Sequence, residues 1–199
     1  MKLFKKIIIG FVLLIFFFWS YLYLNYTTPI LMYHSFDKTR IKNYVAVDPL
    51  NFSRQMAFIK KSGYRVVSLE DYCRMLKNNE KIPRNLVIIT IDDGEKDNLL
   101  AIEILKKFDY QATIFLTWDR IGGVGYLSKE DIDNFLKDTK ISIGSHTLTH
   151  PDLDKLSDAQ LKEEIDVSKK RLEALFSVKI ETFAFPTGAF DKRTLKELS

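Results

Sequence analysis

Two short stretches concentrate the groups that can hold an ion and move a proton: Thr90-Ile91-Asp92-Asp93-Gly94 and His146-Thr147-Leu148-Thr149-His150. Each sits at the end of an apolar run. Two histidines four apart and one carboxylate make a two-nitrogen, one-oxygen set, here Asp93, His146 and His150, that suits one divalent metal ion with an open coordination position. Zinc is the first expectation, and cobalt, nickel or iron accept the same donors. Such an ion brings the pKa of a coordinated water towards neutrality and polarises a substrate carbonyl. Adjacent residues on an extended segment point to opposite sides, so Asp92 is expected off the ion, as the base that takes the proton of the attacking water. The remaining histidine, His34, also ends an apolar run, Pro29 to Tyr33, and as an imidazolium would donate a proton to a leaving amine. Backbone N–H groups around Thr187, in Pro186-Thr187-Gly188, would help to hold an oxyanion.

Each piece alone has a structural alternative. Asp-Asp-Gly is also a turn signal. His146 and His150 alone could be a surface pair or a cap near Pro151, since lone histidines are commonly satisfied structural residues. Their joint placement at strand ends, in a chain with 3 histidines, is what points to a metal site.

The elements that must position these residues follow from periodicity. Short apolar runs alternate with amphipathic stretches, the pattern of an α/β domain with parallel strands. Strands are predicted over Ile30 to His34, Tyr64 to Ser68, Leu86 to Ile91, Gln111 to Thr117, Ile141 to Ser145 and Glu181 to Phe185. Asp48 before Pro49 starts a helix that Gly63 closes. Ala101, Ile104, Leu105 and Phe108 share one face of a second helix. Leu161, Ile165, Leu172 and Leu175 do so in a third, where Ser157 and Gln160 form a capping box. Another helix is expected over Leu69 to Lys77, and a last one begins near Asp191. Asp119 to Gly125 reads as a loop. In such folds the loops at the carboxyl ends of the strands converge on one face, which is where His34, Asp92, Asp93, His146 and Pro186 to Gly188 fall.

A chain of 199 residues, 46% apolar and 28% charged, fits one globular domain with a real core. Of the net charge of +4, Lys2, Lys5 and Lys6 account for all but one unit. That small remainder argues against a nucleic-acid partner. From Ile7 to Leu24 no residue is charged, a stretch long enough to cross most of a bilayer as a helix. Trp19, Tyr21 and Tyr23 would mark its far interface, and no small-residue cleavage site follows. The organisation expected is a basic cytoplasmic segment (1–6), a single-pass anchor in the cell membrane (7–24) and an extracytoplasmic domain (25–199), oriented by the positive-inside rule. Cys73, the single cysteine, permits no internal disulfide and is expected as a small apolar helix residue. Six strands fall short of the roughly eight that close a barrel, so the sequence reads either as truncated at its carboxyl end or as leaving an edge that something must cover.

Thr90 to Gly94, His146 to His150 and Phe183-Ala184-Phe185-Pro186-Thr187-Gly188, in this order, resemble three motifs of the polysaccharide deacetylases of carbohydrate esterase family four, the NodB homology domain. Pro29-Ile30-Leu31-Met32-Tyr33-His34 looks like the branch that acts on poly-β-1,6-N-acetylglucosamine, the biofilm adhesin polymer. The resemblance implies a distorted (β/α) barrel, a divalent metal on Asp93, His146 and His150, Asp92 as base and His34 as acid. It departs at Ala184, where many members carry an arginine that steadies the base, and at Thr187, where an aromatic residue is frequent. The function implied is metal-dependent release of acetate from N-acetylglucosamine polysaccharide. Peptidoglycan or chitooligosaccharide are alternative substrates. A catalytically inactive, truncated metal- or sugar-binding remnant is the rival from another class, and a two-metal phosphoesterase lacks the carboxylates and histidines for a second ion. Oligomeric state is not legible.

Overall fold

In the computed structural model, which describes residues 2–37 and 45–198, five parallel strands form one sheet: β1 (Ile30–Tyr33), β2 (Arg65–Val66), β3 (Leu86–Ile91), β4 (Ala112–Leu116) and β5 (Ile141–Ser145). Their order is β1-β3-β4-β5, with β2 also paired to β3. The helices are α1 (Lys2–Leu24), α2 (Pro49–Lys61), α3 (Leu69–Lys77), α4 (Asn98–Phe108), α5 (Lys129–Asp138), α6 (Asp158–Lys162), α7 (Ser168–Phe176) and α8 (Lys192–Glu197). The strand-helix alternation is the one read from the sequence.

Every residue of β3 is buried, as expected of a central strand covered on both faces in a parallel sheet. One face, with Val87, Ile89 and Ile91 of β3 and Ile114 and Leu116 of β4, packs on α2, α4, α5 and α7 in the main core. On the other face Leu86 and Ile88 lie under α3. That face then turns polar, through Thr113 hydrogen-bonded to Ser142 and Ser142 donating to Glu70 at 2.9 Å. Helix ends follow the predicted signals. Asp48 accepts from the N–H groups of Leu50 and Asn51 ahead of α2, and Ser157 and Gln160 form a reciprocal capping box ahead of α6. Between α6 and α7 the helix runs through a π-turn, Glu163–Val167, where the buried Ser168 hydroxyl bonds back to the Ile165 carbonyl at 2.9 Å. A wide turn of this kind re-aims the side chains it carries.

Three expectations need correction. The predicted strand from Glu181 to Phe185 is reduced to one parallel bridge, Ser145 with Phe183. Two hydrogen bonds flank it, Ser145 N–H to Thr182 O and Ala184 N–H to Ser145 O, and then Pro186, which has no N–H to offer, ends the pairing. Asp119 to Gly125 is not all loop, since a 3₁₀ turn, Trp118–Arg120, begins it. Cys73 lies on α3 as expected, but on its exposed side. Partial burial and nearby Glu70 push its thiol above the ordinary range, the opposite of what a nucleophile needs.

Helix α1 contains the window Phe4–Tyr21, long and apolar enough to cross a membrane, and none of that window is buried against the rest of the chain. Basic residues of the 1–6 segment belong to the same helix from Lys2 onward.

Candidate metal centre and its neighbours

Asp93, His146 and His150 come together as the sequence suggested, with donor atoms all within 4.8 Å of one another. The Asp93 Oδ1 atom lies 3.3 Å from His150 Nε2 and 3.9 Å from His146 Nε2. Donors bonded to one zinc ion at ~2.0–2.2 Å in tetrahedral geometry stand roughly 3.3–3.6 Å apart, so the set fits such an ion once the wider separations close by up to about an ångström. His146 is buried, and its Nδ1 lies 2.9 Å from the Ala184 carbonyl. That carbonyl can only accept, which assigns the ring proton to Nδ1 and leaves the Nε2 lone pair for an ion. Burial above all, and then the neighbouring His150, hold the His146 imidazole down at about 4 despite the Ala184 bond, so it is neutral where a ligand must be.

Backbone conformation does much of the positioning. Strand β3 ends at Ile91, the Asp92 N–H still bonds to the Tyr33 carbonyl at 2.8 Å, and Asp93 then turns left-handed at φ 75°. Asp92 and Asp93 are therefore separated by a left-handed turn rather than by the alternation of an extended strand, which corrects the reason given from the sequence. Gly94 follows at φ 69°, and a Cβ there would meet Leu116 Cδ2 at 2.7 Å. Only glycine fits this turn without displacing the core.

In the histidine loop, Thr147 and His150 are also left-handed, at φ 70° and 67°. The Thr147 hydroxyl accepts from the His150 N–H at 3.0 Å. Glu164, carried by the π-turn, accepts from the N–H groups of Leu148 and Thr149 at 2.9 and 3.0 Å and from the Thr149 hydroxyl at 2.7 Å. One carboxylate thus fastens the loop that holds both histidines. A further tie is the Thr187 hydroxyl, which donates to Asp152 at 2.7 Å.

Asp92 is buried, and its Oδ1 has no hydrogen-bond partner. Burial first, and the Asp93 charge second, raise its carboxyl from 3.8 to about 7. Thr187 sits at φ 55° in the 3₁₀ turn Pro186–Gly188. The N–H groups of Gly188 and Ala189 are taken by Phe185 and Pro186, whereas the Thr187 N–H has no backbone partner among the described residues. His34 follows β1 half-buried. Its carbonyl accepts from the buried Asn98 side chain at 2.7 Å, but its ring makes no hydrogen bond among the described residues and is not one of the clustered donors.

Sequence reasoning missed Arg120 and Glu164. Arg120 Nη1 donates to Asp93 Oδ1 at 2.6 Å, and its guanidinium lies 5.4 Å from the centre of the Tyr126 ring. It approaches Asp93 from the loop after β4, while the position where the resemblance expects an arginine, Ala184, contributes a carbonyl to His146. A cation in a glycine-rich loop at a strand's carboxyl end was a usable signal. Glu164 had none, because the π-turn that aims it leaves no mark in the helical periodicity.

A family model described as polysaccharide deacetylase matches residues 79–199. The Bacillus subtilis protein YxkH is 33% identical over 169 residues, 84% of this chain and 59% of that protein. Poly-β-1,6-N-acetyl-D-glucosamine N-deacetylase of Staphylococcus aureus is 26% identical over 180 residues, 82% of this chain and 60% of its own length. This chain therefore spans about three-fifths of either relative. Among solved structures, the Streptococcus pyogenes deacetylase PplD in complex with acetate superposes with a TM-score of 0.79 at 30% identity, covering 86% of this chain and 78% of that one. The parallel α/β fold is the one these deacetylases have.

Proposed function

We propose, starting from the fact that this chain belongs to the polysaccharide deacetylase family, that it hydrolyses N-acetyl groups of an N-acetylglucosamine polysaccharide and releases acetate. The observation that carries the reading is the cluster of Asp93, His146 and His150 beside a buried carboxyl, Asp92, whose pKa stands at about 7. A divalent ion held by Asp93 Oδ1, His146 Nε2 and His150 Nε2 would supply Lewis acidity and an activated water. The chain's own groups do the rest. Asp92, poised near neutrality, takes a proton during attack on the acetamide carbon, where a base with a pKa near the working pH is most effective. The Thr187 N–H is available to the developing oxyanion. His34 at the end of β1 donates the proton that lets the sugar amine leave. Ala184 O fixes the tautomer of His146, and Glu164 and Arg120 hold the histidine loop and Asp93 in place.

Poly-β-1,6-N-acetylglucosamine is the favoured polymer, supported by the similarity to the Staphylococcus aureus enzyme and by the Met-Tyr-His segment ending β1. The product would be cationic at neutral pH, because its freed amines protonate. Zinc is the ion we expect. Helix α1 is read as a single-pass anchor with the domain outside the cytoplasm, supported by its unburied apolar window and the lysines before it.

The test is acetate release by the full chain in detergent, supplied with β-1,6-linked and β-1,4-linked N-acetylglucosamine oligomers of equal length. Faster release from the β-1,6 series supports the assignment. Preference for the β-1,4 series reassigns the substrate to chitooligosaccharide or peptidoglycan, and release from neither overturns the activity.

A further inference from the structure

We propose that the amino ends of the strands form a basic face that seats on anionic phospholipid headgroups of the membrane crossed by α1. The proposal rests on the anchor reading above. In a parallel sheet with returning helices, strand starts and helix carboxyl ends share one side of the domain. Lys60 and Lys61 end α2 there, and Lys106 and Lys107 end α4. Cations at helix carboxyl ends are ordinary, because they complement the helix dipole. Arg65 at the start of β2, Lys81 in the turn before β3 and Lys140 just before β5 stand past the capping residues Ser62, Asn78 and Thr139 of α2, α3 and α5, and add to the positive charge on the same side. All seven side chains are exposed. Lys140 pairs with Asp109 at 2.6 Å, and the other six have no ion-pair partner among the described residues. Of the acids on the same side, Asp109 and Glu181 are already paired, to Lys140 and Lys179, Glu80 beside Lys81 accepts from the Asn78 side-chain amide at 3.1 Å, and Asp138 ends α5, so the cations named outnumber the acids. Outside the amino-terminal lysines the chain carries an excess of one positive charge, so this concentration is a segregation of charge rather than a general basicity.

An independent observation names the occupant. Chain leaving α1 at Leu24 is fastened to this same side before β1 begins at Ile30. The Tyr26 hydroxyl donates to the Arg84 carbonyl, the Arg84 guanidinium lies 5.2 Å from the Tyr26 ring centre, Thr28 is buried, and the Pro29 carbonyl accepts the Ile88 N–H at 3.0 Å. The connecting residues 25–29 reach at most about 18 Å even when extended. The face is thereby tethered near the bilayer, where electrostatic attraction acts over a Debye length of about 8–10 Å. Each cation brought near an anionic lipid surface multiplies the seated population roughly fivefold. Seating this way also sets the direction of the metal centre. It lies at the opposite ends of the strands, about 20 Å off for a six-residue strand, and opens away from the bilayer to polymer arriving from outside.

The experiment places the full chain in nanodiscs, with a fluorescent donor on Cys73, the single cysteine, and an acceptor among the headgroups. Energy transfer should be at least twofold higher in discs containing phosphatidylglycerol than in phosphatidylcholine discs. It should fall to the phosphatidylcholine level in high salt and in the variant Lys60→Glu, Lys61→Glu, Lys106→Glu, Lys107→Glu, and part-way in the corresponding glutamine variant, which guards against misfolding by charge reversal. A chain that stays in the disc with equal transfer in both lipids overturns the proposal and leaves the anchor reading intact. Failure to enter discs overturns both. Release of the domain by soluble polyglycerol phosphate at low micromolar concentration would assign the face to an anionic polymer and overturn the lipid assignment.

Discussion

Left-handed backbone appears at both ends of the sheet and serves different purposes. At the amino ends of the strands, Asp109 (φ 58°) and Ser177 (φ 55°) close α4 and α7, an ordinary way to finish a helix. At the carboxyl ends, Asp93, Thr147, His150 and Thr187 take up the same conformation without closing an α-helix. Each such residue costs of order 1–3 kcal/mol and persists where its surroundings over-determine it. Here the surroundings can be named: Arg120 on Asp93, Glu164 on the histidine loop, Asp152 on Thr187. One end is shaped by helix termination and exposed charge. The other holds strained backbone against three side-chain ties so that three donors and a buried carboxyl stay together.

The contrast breaks most completely at His146. His146→Ala should abolish zinc binding, read by calorimetry on the folded protein, and with it any acetate release. Asp92→Asn should leave zinc affinity within about threefold while turnover falls by at least ~10²-fold, the usual contribution of a positioned base. Full activity in that variant would remove Asp92 from the mechanism.

Asp92 also sets a pH signature in the metal-free protein. Its folded pKa, about 7, lies above 3.8, so the folded state binds this proton more tightly than the unfolded one. The stability it contributes is complete below about 4 and is lost as pH rises through about 7. His146 acts in the other direction, since its depressed value makes stability fall as pH drops below 6.5. Comparing urea midpoints of the native chain and Asp92→Asn at pH 5 and pH 8 isolates the aspartate, and the native chain should lose more between the two.

Glu164→Ala sharpens the comparison from the side of the ties. Zinc affinity should drop roughly 10- to 100-fold, as for other partners that orient ligands, with Glu164→Gln recovering most of it because the amide oxygen can still accept a backbone N–H. Unchanged affinity in the alanine variant would make Glu164 a stability residue only. The smallest effect belongs to the ordinary end. Ser177→Gly should stabilise the fold by about 0.5–1 kcal/mol in chemical denaturation, as glycine relieves a left-handed helix cap, with zinc affinity unaltered.

Sequence and structure agree best where local chemistry decides. The strand β3, apolar but for Thr90, the Asp48-Pro49 start of α2 and the Ser157-Gln160 capping box are set by neighbouring residues, and all three stand as read. The donor set was legible because histidines are scarce in this chain and both motifs end strands. Three features were not. The pairing of Glu181 to Phe185 depends on what Ser145 offers across the sheet, so its apolar character could not reveal that the strand stops at one bridge. The π-turn and Glu164 depend on tertiary contacts, of the Ser168 hydroxyl with that of Ser145 at 2.7 Å and of Glu164 with the histidine loop. The basic face was hidden by summation, since an excess of one charge over the domain says nothing of where the charges stand.

The most direct test of the central claim is a zinc titration of the full chain in detergent, stripped first with chelator, with acetate release from β-1,6-linked N-acetylglucosamine oligomers as the readout. Release should be absent after stripping and rise to a plateau at one ion per chain. Release that survives stripping, or none from folded protein carrying one tightly bound ion, would contradict the assignment of Asp93, His146 and His150 as the catalytic metal centre.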